Sequence, residues 1–409
     1  MSKVLIAIVL LLVLNISYTQ YNDPNFSKPI SGYGSDGIHS VGTVSFTNPN
    51  YLVKNIEIYY PSDITTRVPT IFYSHAFGGN NSSNISGMLE FVAKKGYAIV
   101  YVPYKTVGST ISERYTNLLE GFRKAARDYP NIIDTTQVGF MGHSFGGGAS
   151  FANSYKCFTE NNWGQNGRFI YALAQWYSFN ITQAELQSFP SDTKVLIEVF
   201  NDDETNDHRM AIDIFNTINI TSAEKDFILL ESDIINGYSY IADHIVPNTA
   251  NAFDALDYYA YYRFIDALSD YTFNDNGAAK NVALGNGSVA QVSMPTGLKS
   301  LSQSDAPIIG HPESKYQFPC SDIQNLRSNY CADAVSIAGI KEELIVYPNP
   351  ASDYINLNRE TLEDILIYSI TGVLIKEVSS TSRIDISNFV SGSYFLKFEN
   401  KVIPFVVLR

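Results

Sequence analysis

The sequence predicts an α/β protein with a mostly parallel sheet and helices on both faces, followed by a small all-β sandwich. Three observations support this prediction. Short apolar strands alternate with helical stretches from residue 35 to residue 271, as they do when parallel strands are joined by helices. Short strands and turns without helical spacing follow residue 343, which is typical of a sandwich. Apolar residues make up 45% of the 409 residues, which is enough for a sizeable core and excludes general disorder.

The elements of the α/β part follow in a regular order. Val41–Phe46 and Val53–Tyr60 predict a hairpin, with Asn48-Pro49-Asn50 at its turn. The apolar strands that follow are Pro69–Ser74, Tyr97–Val102, Gln137–Met141, Phe169–Leu173, Lys194–Phe200 and Asp226–Leu230. Helical spacing predicts the helices Ser86–Lys95, Ile111–Tyr129, His208–Thr217 and Ala252–Tyr271. From Asn274 to about Cys331 the pattern weakens, and we predict an extended tail packed on the main domain.

A different pattern begins at Glu343. Four or five short strands are predicted there, at Asp353–Leu357, Ile365–Ile370, Val373–Val378, Ser393–Phe398 and Val402–Leu408. Thr371-Gly372 lies between two of them as a tight-turn signal. We predict a domain of residues 21–335 and a sandwich of residues 336–409, joined by a linker around Ser336–Lys341.

The first twenty residues are typical of a secretory signal peptide. Lys3 precedes an apolar run from Val4 to Leu14, and small polar residues follow as far as Gln20. The run is too short to cross a bilayer, which needs about 20 helical residues, and no second apolar stretch follows. We therefore predict cleavage near Gln20 and no transmembrane segment. The alternative is a buried N-terminal helix.

The charge composition argues against polyanionic partners. Charged residues make up only 17% of the chain, compared with about 25% in an average soluble protein. The formal net charge is −13, and the chain contains no run of basic residues. We therefore expect no binding to nucleic acid or to anionic lipid through a basic surface.

The chain has three cysteines. Cys320 and Cys331 are close enough in sequence to form a disulfide that closes a short loop in an exported protein. Cys157 would then remain as a buried free thiol. No cysteine spacing resembles that of a zinc site, and we expect neither a metal nor another cofactor.

A motif for a catalytic serine follows the predicted strand at Gln137–Met141. A helix made of small residues begins directly after the motif. Its residues are Gly142-His143-Ser144-Phe145-Gly146-Gly147. This G-x-S-x-G pattern between a strand and a helix is typical of a nucleophile elbow, in which small residues let strand and helix approach each other. The helix amino terminus directs its N–H groups toward the reacting centre, so we predict Ser144 as the nucleophile.

With this motif, the chain from about Gly37 to Asp270 resembles an α/β-hydrolase. It is similar to the group of dienelactone hydrolases, platelet-activating-factor acetylhydrolase-like lipases, cutinases and bacterial polyester hydrolases. Polyester hydrolases usually have Met in the place of Phe145, and they line the acyl cleft with a tryptophan where this chain has Trp176, preceded by Gln175 instead of Pro. The alternative for Trp176 is a core aromatic. No separate cap domain is apparent, which implies a site open to large substrates.

In this fold the triad acid follows the seventh strand and the base follows the eighth. The family pattern V-L-I-x-G-x-x-D puts the acid at Asp203, with Asp202 as the alternative one residue away. His244 follows the eighth strand and is the predicted base, because the rival His208 comes too soon after the acid and begins a helix. A calcium site is the alternative role for the carboxylates here, although the spacing fits no standard loop: Asp202, Asp203, Glu204 and Asp207.

The resemblance also implies groups that stabilise an oxyanion. The loop Ser74–Gly79 resembles the H-G-F-G-G turn of many esterases, although Ala76 stands where the family often has Gly. The amides of Phe77 and Phe145 are therefore the predicted oxyanion donors. We predict that His75 braces this loop and has no acid or base role.

The C-terminal stretch from about Ile340 resembles the type A sorting domain of type IX secretion. The motifs that carry the resemblance are Tyr347-Pro348-Asn349-Pro350, Tyr368-Ser369-Ile370-Thr371-Gly372, Ser391-Gly392-Ser393-Tyr394-Phe395 and Lys401-Val402-Ile403. The resemblance implies a Gram-negative bacterium of the Bacteroidetes type. It also implies passage across the inner membrane by the signal peptide, and across the outer membrane with the type IX secretion machinery as partner. Such a domain is usually removed, so it would take no part in catalysis.

These resemblances lead to the expectation of a secreted or surface-attached serine hydrolase that cleaves carboxylic esters without a cofactor. Ser144 would attack the ester carbonyl, His244 would transfer the proton, and Asp203 would orient the histidine. The ester could be a lipid, a polymer, a carbohydrate-bound acyl group or a synthetic polyester. One rival is a serine peptidase of the same fold, and another is a non-catalytic surface binding protein on a hydrolase scaffold.

Overall fold

The computed structural model describes residues 21–248, 250, 253–319, 346–357, 365–378, 381–398 and 401–409. The predicted signal peptide, the predicted Cys320–Cys331 disulfide and the predicted linker lie outside these residues. The chain divides into two compact units, Met1–Ser328 and Asn329–Arg409, whereas the predicted boundary is residue 335. No helix within the described ranges is long and apolar enough to cross a membrane.

The first unit is built around a large mixed sheet. Its described strands are β1 (Val41–Thr47), β2 (Asn55–Pro61), β3 (Val68–Ser74), β4 (Ala98–Tyr101), β5 (Ile133–His143), β6 (Arg168–Leu173), β7 (Lys194–Phe200), β8 (Lys225–Leu230), β9 (Asp233–Ile235), β10 (Tyr238–Tyr240) and β11 (Ser302–Gln303). Nine of them pair in the order β1-β2-β4-β3-β5-β6-β7-β8-β11, and β9 pairs with β10. The strands from β4 to β8 in this order are parallel, so their carboxyl ends lie at one edge of the sheet.

Helices cover both faces of this sheet. The described helices of the first unit are α1 (Ser86–Lys94), α2 (Ile111–Asp128), α3 (Phe145–Thr159), α4 (Gln183–Gln187), α5 (His208–Thr217), α6 (Arg263–Asn274), α7 (Gly277–Ala283) and α8 (Val289–Val292), with a π-helical segment at Asp257–Tyr262. Side chains of β3 alternate between the faces: Ile71 and Tyr73 belong to the core under α1 and α6, and Phe72 belongs to the core under α2 and α3. Cys157 on α3 is a buried free thiol, as predicted.

The predicted α/β class is confirmed for this unit by the large sheet and its helices. Most predicted strands and helices agree with the structure to within a few residues. β5 begins at Ile133 and not at Gln137, because Val68 and Pro69 of β3 pair with Ile133 and Asp134. The polar residues in this first part of β5 conceal the strand in the sequence.

The prediction of an extended tail after residue 274 is wrong in part. Two short helices, α7 and α8, form there because side chains cap them. The Oδ1 atom of Asn276 accepts a hydrogen bond from the Ala278 amide at 3.0 Å, and the Ser288 hydroxyl accepts one from the Gln291 amide at 3.3 Å. The chain then adds β11 to the sheet edge beside β8. Asn and Ser at these caps have the composition of a loop, which hides the helices in the sequence.

The second unit is all-β in its described residues, as predicted. Its strands are β12 (Val346–Tyr347), β13 (Tyr354–Leu357), β14 (Ile365–Ser369), β15 (Leu374–Val378), β16 (Arg383–Asp385), β17 (Gly392–Phe398) and β18 (Lys401–Val407). They form two antiparallel sheets, β12-β13-β16 and β15-β14-β17-β18, which contribute to one apolar core. Gly372 has a φ of 80°, which only glycine adopts easily, at the predicted Thr371-Gly372 turn.

Candidate active site

Ser144 lies at the sharp turn between β5 and α3. Its φ is 56° and its ψ is −121°, a combination that is costly for a residue with a side chain. Two backbone hydrogen bonds hold this conformation. The Ser144 amide donates to the Leu173 carbonyl at 2.9 Å, and the Trp176 amide donates to the Ser144 carbonyl at 2.8 Å. The end of β6 therefore fixes the serine in its strained position.

The glycines of the motif allow strand and helix to approach. A Cβ atom on Gly146 would lie 1.9 Å from the Ser74 carbonyl oxygen, and one on Gly142 would lie 2.3 Å from the Gly146 carbonyl oxygen. Neither position has room for a side chain. The first turn of α3 thus packs directly on the backbone at the end of β3, which is where the predicted oxyanion loop begins.

Ser144, His244 and Asp203 form a continuous chain of hydrogen bonds. The Ser144 hydroxyl lies 3.0 Å from Nε2 of His244, and Nδ1 of His244 lies 2.8 Å from Oδ2 of Asp203. A carboxylate can only accept, so Nδ1 carries the proton and Nε2 is free to accept the serine proton. The three residues come from the segments after β5, β7 and β8, whose carboxyl ends lie together.

The environment of Asp203 distinguishes it from Asp202. Asp203 is only 1% exposed, and its Oδ1 atom accepts the amides of Thr205 at 2.8 Å and Asn206 at 2.9 Å. Asp202 instead lies 3.1 Å from Nζ of Lys315, and hydrogen bonds from Ser232 and Lys315 lower the pKa of its carboxyl. Of the two candidates that the sequence leaves open, Asp203 is the one that contacts His244.

Backbone contacts hold the loop that carries His244. The Ala242 amide donates to Ser232 Oγ at 2.8 Å, and the Ala242 carbonyl accepts the Asp202 amide at 2.8 Å. His143, the residue before the nucleophile, donates from Nε2 to the His244 carbonyl at 2.7 Å. Burial, followed by the nearby His244, holds the pKa of His143 well below its usual value, so His143 stays a neutral donor. The G-x-S-x-G motif accepts any residue at position 143, so the sequence does not predict this hydrogen bond.

Two other histidines, His208 and His75, form hydrogen bonds to backbone groups and not to the serine hydroxyl. His208 donates from Nε2 to the Phe200 carbonyl at 2.9 Å, so it does not act as the rival base in this geometry. His75 braces its loop, as predicted: Nδ1 donates to the Ala76 carbonyl at 2.6 Å and Nε2 accepts the Tyr104 amide at 3.1 Å. Burial lowers the pKa of His75 to about 3, so it remains neutral in this role.

The two predicted oxyanion donors lie on adjoining segments. Phe145 is the first residue of α3, where an amide has no carbonyl partner within the helix. Phe77 lies in a turn closed by a 2.9 Å hydrogen bond from the Gly79 amide to the Ala76 carbonyl. Gly78 takes the positive φ of this turn, at 87°, so the alanine at position 76 does not disturb it.

Arg114 on α2 connects these two segments. Its guanidinium lies 5.0 Å from the ring centre of Phe77 and 5.6 Å from that of Phe145. Hydrogen bonds to the carbonyls of Thr106 and Ser109, at 2.8 and 2.7 Å, hold the guanidinium in place. Phe77 is still 56% exposed, so the arginine covers only part of its ring.

Trp176 and Asn206 complete the surroundings of the serine. The Trp176 side chain is partly buried against the core under α2 and α3, and it also meets the ring of Phe318 at 5.4 Å. Asn206 is buried, and its Nδ2 donates to the Ala174 carbonyl and to Ser144 Oγ, the latter at 3.4 Å. The second of these bonds favours a serine proton that points toward His244. No motif marks Asn206 in the sequence.

Three of the four carboxylates that could form a calcium site have different partners. Asp203 contacts His244, Asp202 contacts Lys315, and Asp207 pairs with the guanidinium of Arg209. Across the described ranges, no group of three or more His, Cys, Asp and Glu residues is arranged to hold a metal ion.

Comparison with known proteins identifies the second unit. Residues 345–405 match the family model of the secretion system C-terminal sorting domain. No curated protein matches the chain. The matched segment includes none of the residues around Ser144. It marks the chain as a secreted or cell-surface protein of a Bacteroidetes-type Gram-negative bacterium, with the type IX secretion machinery as a partner, and this confirms the predicted localisation.

Proposed function

We propose that the first unit is a serine hydrolase of the α/β-hydrolase fold and that it cleaves carboxylic esters outside the cell. The observation that carries this proposal is the hydrogen-bonded chain Ser144–His244–Asp203, with the serine on a strained turn at the start of a helix. Strain of this kind is costly and persists where it serves a function. A purely structural serine would not need a buried carboxylate behind its histidine partner.

Each group has a defined step in the proposed reaction. Nε2 of His244 takes the proton from Ser144 Oγ as the oxygen attacks the ester carbonyl carbon. Asp203 stabilises the imidazolium, and the amides of Phe145 and Phe77 donate to the oxyanion. When the bond to the alcohol breaks, His244 gives its proton to the departing oxygen and the acyl group remains on Ser144. Water then repeats the sequence, which releases the acid and restores the serine.

The segment between β6 and β7 supports access for a large substrate. It runs from Ala174 to Thr193 and contains one helix, α4, of five residues, which is too little for a cap domain. Ile245 next to the histidine is 59% exposed, and Phe77 on the oxyanion loop is also exposed. An open site with apolar side chains at its edge suits lipid, polymeric or carbohydrate-bound acyl esters.

A fluorophosphonate probe tests the reaction class. We expect the native chain to react stoichiometrically, with the added mass on the tryptic peptide that contains Ser144, because only a serine with an activated hydroxyl attacks such a probe. Heat-denatured chain is the control and should not react. Labelling with slow ester turnover and fast peptide turnover would favour the peptidase alternative. Absence of labelling would favour a non-catalytic surface protein.

We expect the sorting domain to be separable from catalysis. A chain that ends near Val335 should retain its esterase activity when purified, because the domain has a core of its own and the proposed triad lies outside the matched residues 345–405. In the native bacterium the same truncation should leave active enzyme in the periplasm. The signal peptide still directs the chain across the inner membrane, but the domain needed for export across the outer membrane is missing. Activity assays on periplasm, surface and medium fractions measure this.

Two outcomes of that experiment would contradict the expectation. Equal activity in the medium with and without the domain would exclude the role in export. Loss of activity in the purified shortened chain would show that the two units share a core or a site.

A further inference from the structure

A short segment of the irregular tail packs on the loop that carries Asp203. We refer to residues Glu313–Phe318 as the strap and to residues Asn201–Asp207 as the acid loop. The acid loop joins β7 to α5, and the strap lies more than a hundred residues later in the chain. None of the sequence motifs described above includes the strap.

Three kinds of contact join the strap to the acid loop and its flank. Lys315 Nζ donates to the Asn201 carbonyl at 2.8 Å and to Asp202 Oδ1 at 3.1 Å. The Gln317 amide donates to the Glu204 carbonyl at 2.5 Å. The Tyr316 ring, only 4% exposed, packs edge-on against His208 at 5.6 Å between ring centres. The polar contacts therefore fall on both sides of Asp203 in sequence.

These contacts add to the two backbone hydrogen bonds that hold the start of the loop, from the Asn201 amide to the Leu230 carbonyl and from the Asp202 amide to the Ala242 carbonyl. Asp203 itself is aligned from within the loop, where the amides of Thr205 and Asn206 donate to its Oδ1 atom. That alignment holds only while the backbone from Asn201 to Asn206 keeps its shape. Lys315 and Gln317 tie the loop carbonyls on either side of Asp203, and this limits how far the carboxylate can move away from Nδ1 of His244.

We propose that the strap is a positioning element for the triad acid: Lys315 and Tyr316 hold the acid loop so that Asp203 keeps His244 in its reactive orientation. The catalytic part of this inference rests on the proposed function. Neither residue touches substrate or reacting atoms, and both act through Asp203. The end of the strap also reaches the candidate cleft, because Phe318 meets Trp176. Removal of the sorting domain therefore leaves a fully active enzyme only when the cut falls after Phe318.

The test uses the full chain with Tyr316→Ala, Lys315→Ala and Lys315→Arg. The matched control is Lys280→Ala, which removes a partly exposed lysine that pairs with Glu224 elsewhere in the unit. The first readout is hydrogen exchange of the acid-loop amides, with helix α1 as the internal reference. We expect at least about tenfold faster exchange in the acid loop for the two alanine variants, no change in α1, and the native rate in Lys315→Arg and Lys280→Ala.

The second readout is ester hydrolysis. We expect kcat to fall by about tenfold in Tyr316→Ala and by less in Lys315→Ala, with KM within about twofold of the native value, because a misplaced acid affects the chemical step. In an Asp203→Asn background, the added Tyr316→Ala change should lower kcat by less than about a further twofold. This non-additivity separates action through Asp203 from general destabilisation.

Each outcome decides the proposal. Native exchange and native kcat in both alanine variants would overturn it, as would a full tenfold cost of Tyr316→Ala in the Asp203→Asn background. If Tyr316→Ala does not fold, Lys315→Ala and its rescue by arginine decide alone. If the native chain hydrolyses no ester, faster exchange in the acid loop still supports the strap while the proposed function fails.

Discussion

Substitution of Ser144 by alanine should reduce ester hydrolysis by roughly 10⁵-fold, to the level that the oxyanion donors and binding alone can sustain. In the proposed mechanism Ser144 forms the acyl intermediate, and Nε2 of His244 lies 3.0 Å from its hydroxyl. Alanine carries the same Cβ atom, so the strained turn and the glycine contacts around it are unaffected. The measurement is kcat for a p-nitrophenyl ester, with circular dichroism and the thermal midpoint recorded on the same sample.

A matched control exists on the helix that follows. Ser154 is a buried serine within α3, and its hydroxyl donates to the Phe151 carbonyl at 3.0 Å. Ser154→Ala should retain native activity. Activity within tenfold of native in Ser144→Ala, in a sample free of native enzyme, would show that the nucleophile is a different residue.

Substitution of Asp203 by asparagine should lower kcat by about 10⁴-fold. The two loop amides that donate to Oδ1 select the amide oxygen for that position, which turns the asparagine Nδ2 toward His244. Nδ2 can only donate, so Nδ1 of His244 must accept and the imidazole proton moves to Nε2. In that tautomer the histidine cannot take the proton from Ser144. The decisive measurement is kcat at saturating substrate, because the contact between Asp203 and His244 affects the chemical step and not the binding of substrate.

Asp202→Asn is the control for this prediction. The amide oxygen of asparagine still accepts from Lys315, so we expect a change in kcat of less than about threefold. The opposite ranking of the two variants would assign the acid to Asp202. Small effects of both would remove the carboxylate from the mechanism altogether.

Much of the site could be predicted because its signals are local. The elbow combines an apolar strand, a serine between glycines and a helix of small residues in consecutive positions, and steric contacts of 1.9 and 2.3 Å explain why glycine is needed there. His244 could be placed from its position after the eighth strand. The family pattern favours Asp203 but leaves Asp202 open, because a shift of one residue at the end of β7 exchanges them.

What the sequence could not predict depends on contacts between distant segments. His143 donates to a carbonyl 101 residues later, and Asn206 donates to a hydroxyl 62 residues earlier. Lys315 reaches the acid loop across 113 residues. Neither hydropathy nor residue spacing predicts such partners. His143, Asn206 and Lys315 are polar, and the local pattern around each of them indicates only a strand end or a loop.

The order of strands in the sheet has a consequence for how the site forms. The first half of the α/β unit can build β3, β4, β5 and α3 from segments that lie close in sequence, and this brings Ser144 to the start of its helix. The hydrogen bonds from Ser144 to Leu173 and from Trp176 to Ser144 form only when β6 has paired. The histidine that meets Ser144 lies 100 residues further along the chain, beyond three more parallel strands, β6, β7 and β8. Closing the loop between Ser144 and His244 is slow. The entropy that this closure costs is offset only when β6, β7 and β8 pair in register. During refolding, the helical circular dichroism should therefore return well before Ser144 becomes reactive. In a chain that is still being synthesised, Ser144 would have no histidine partner until β6, β7 and β8 have paired.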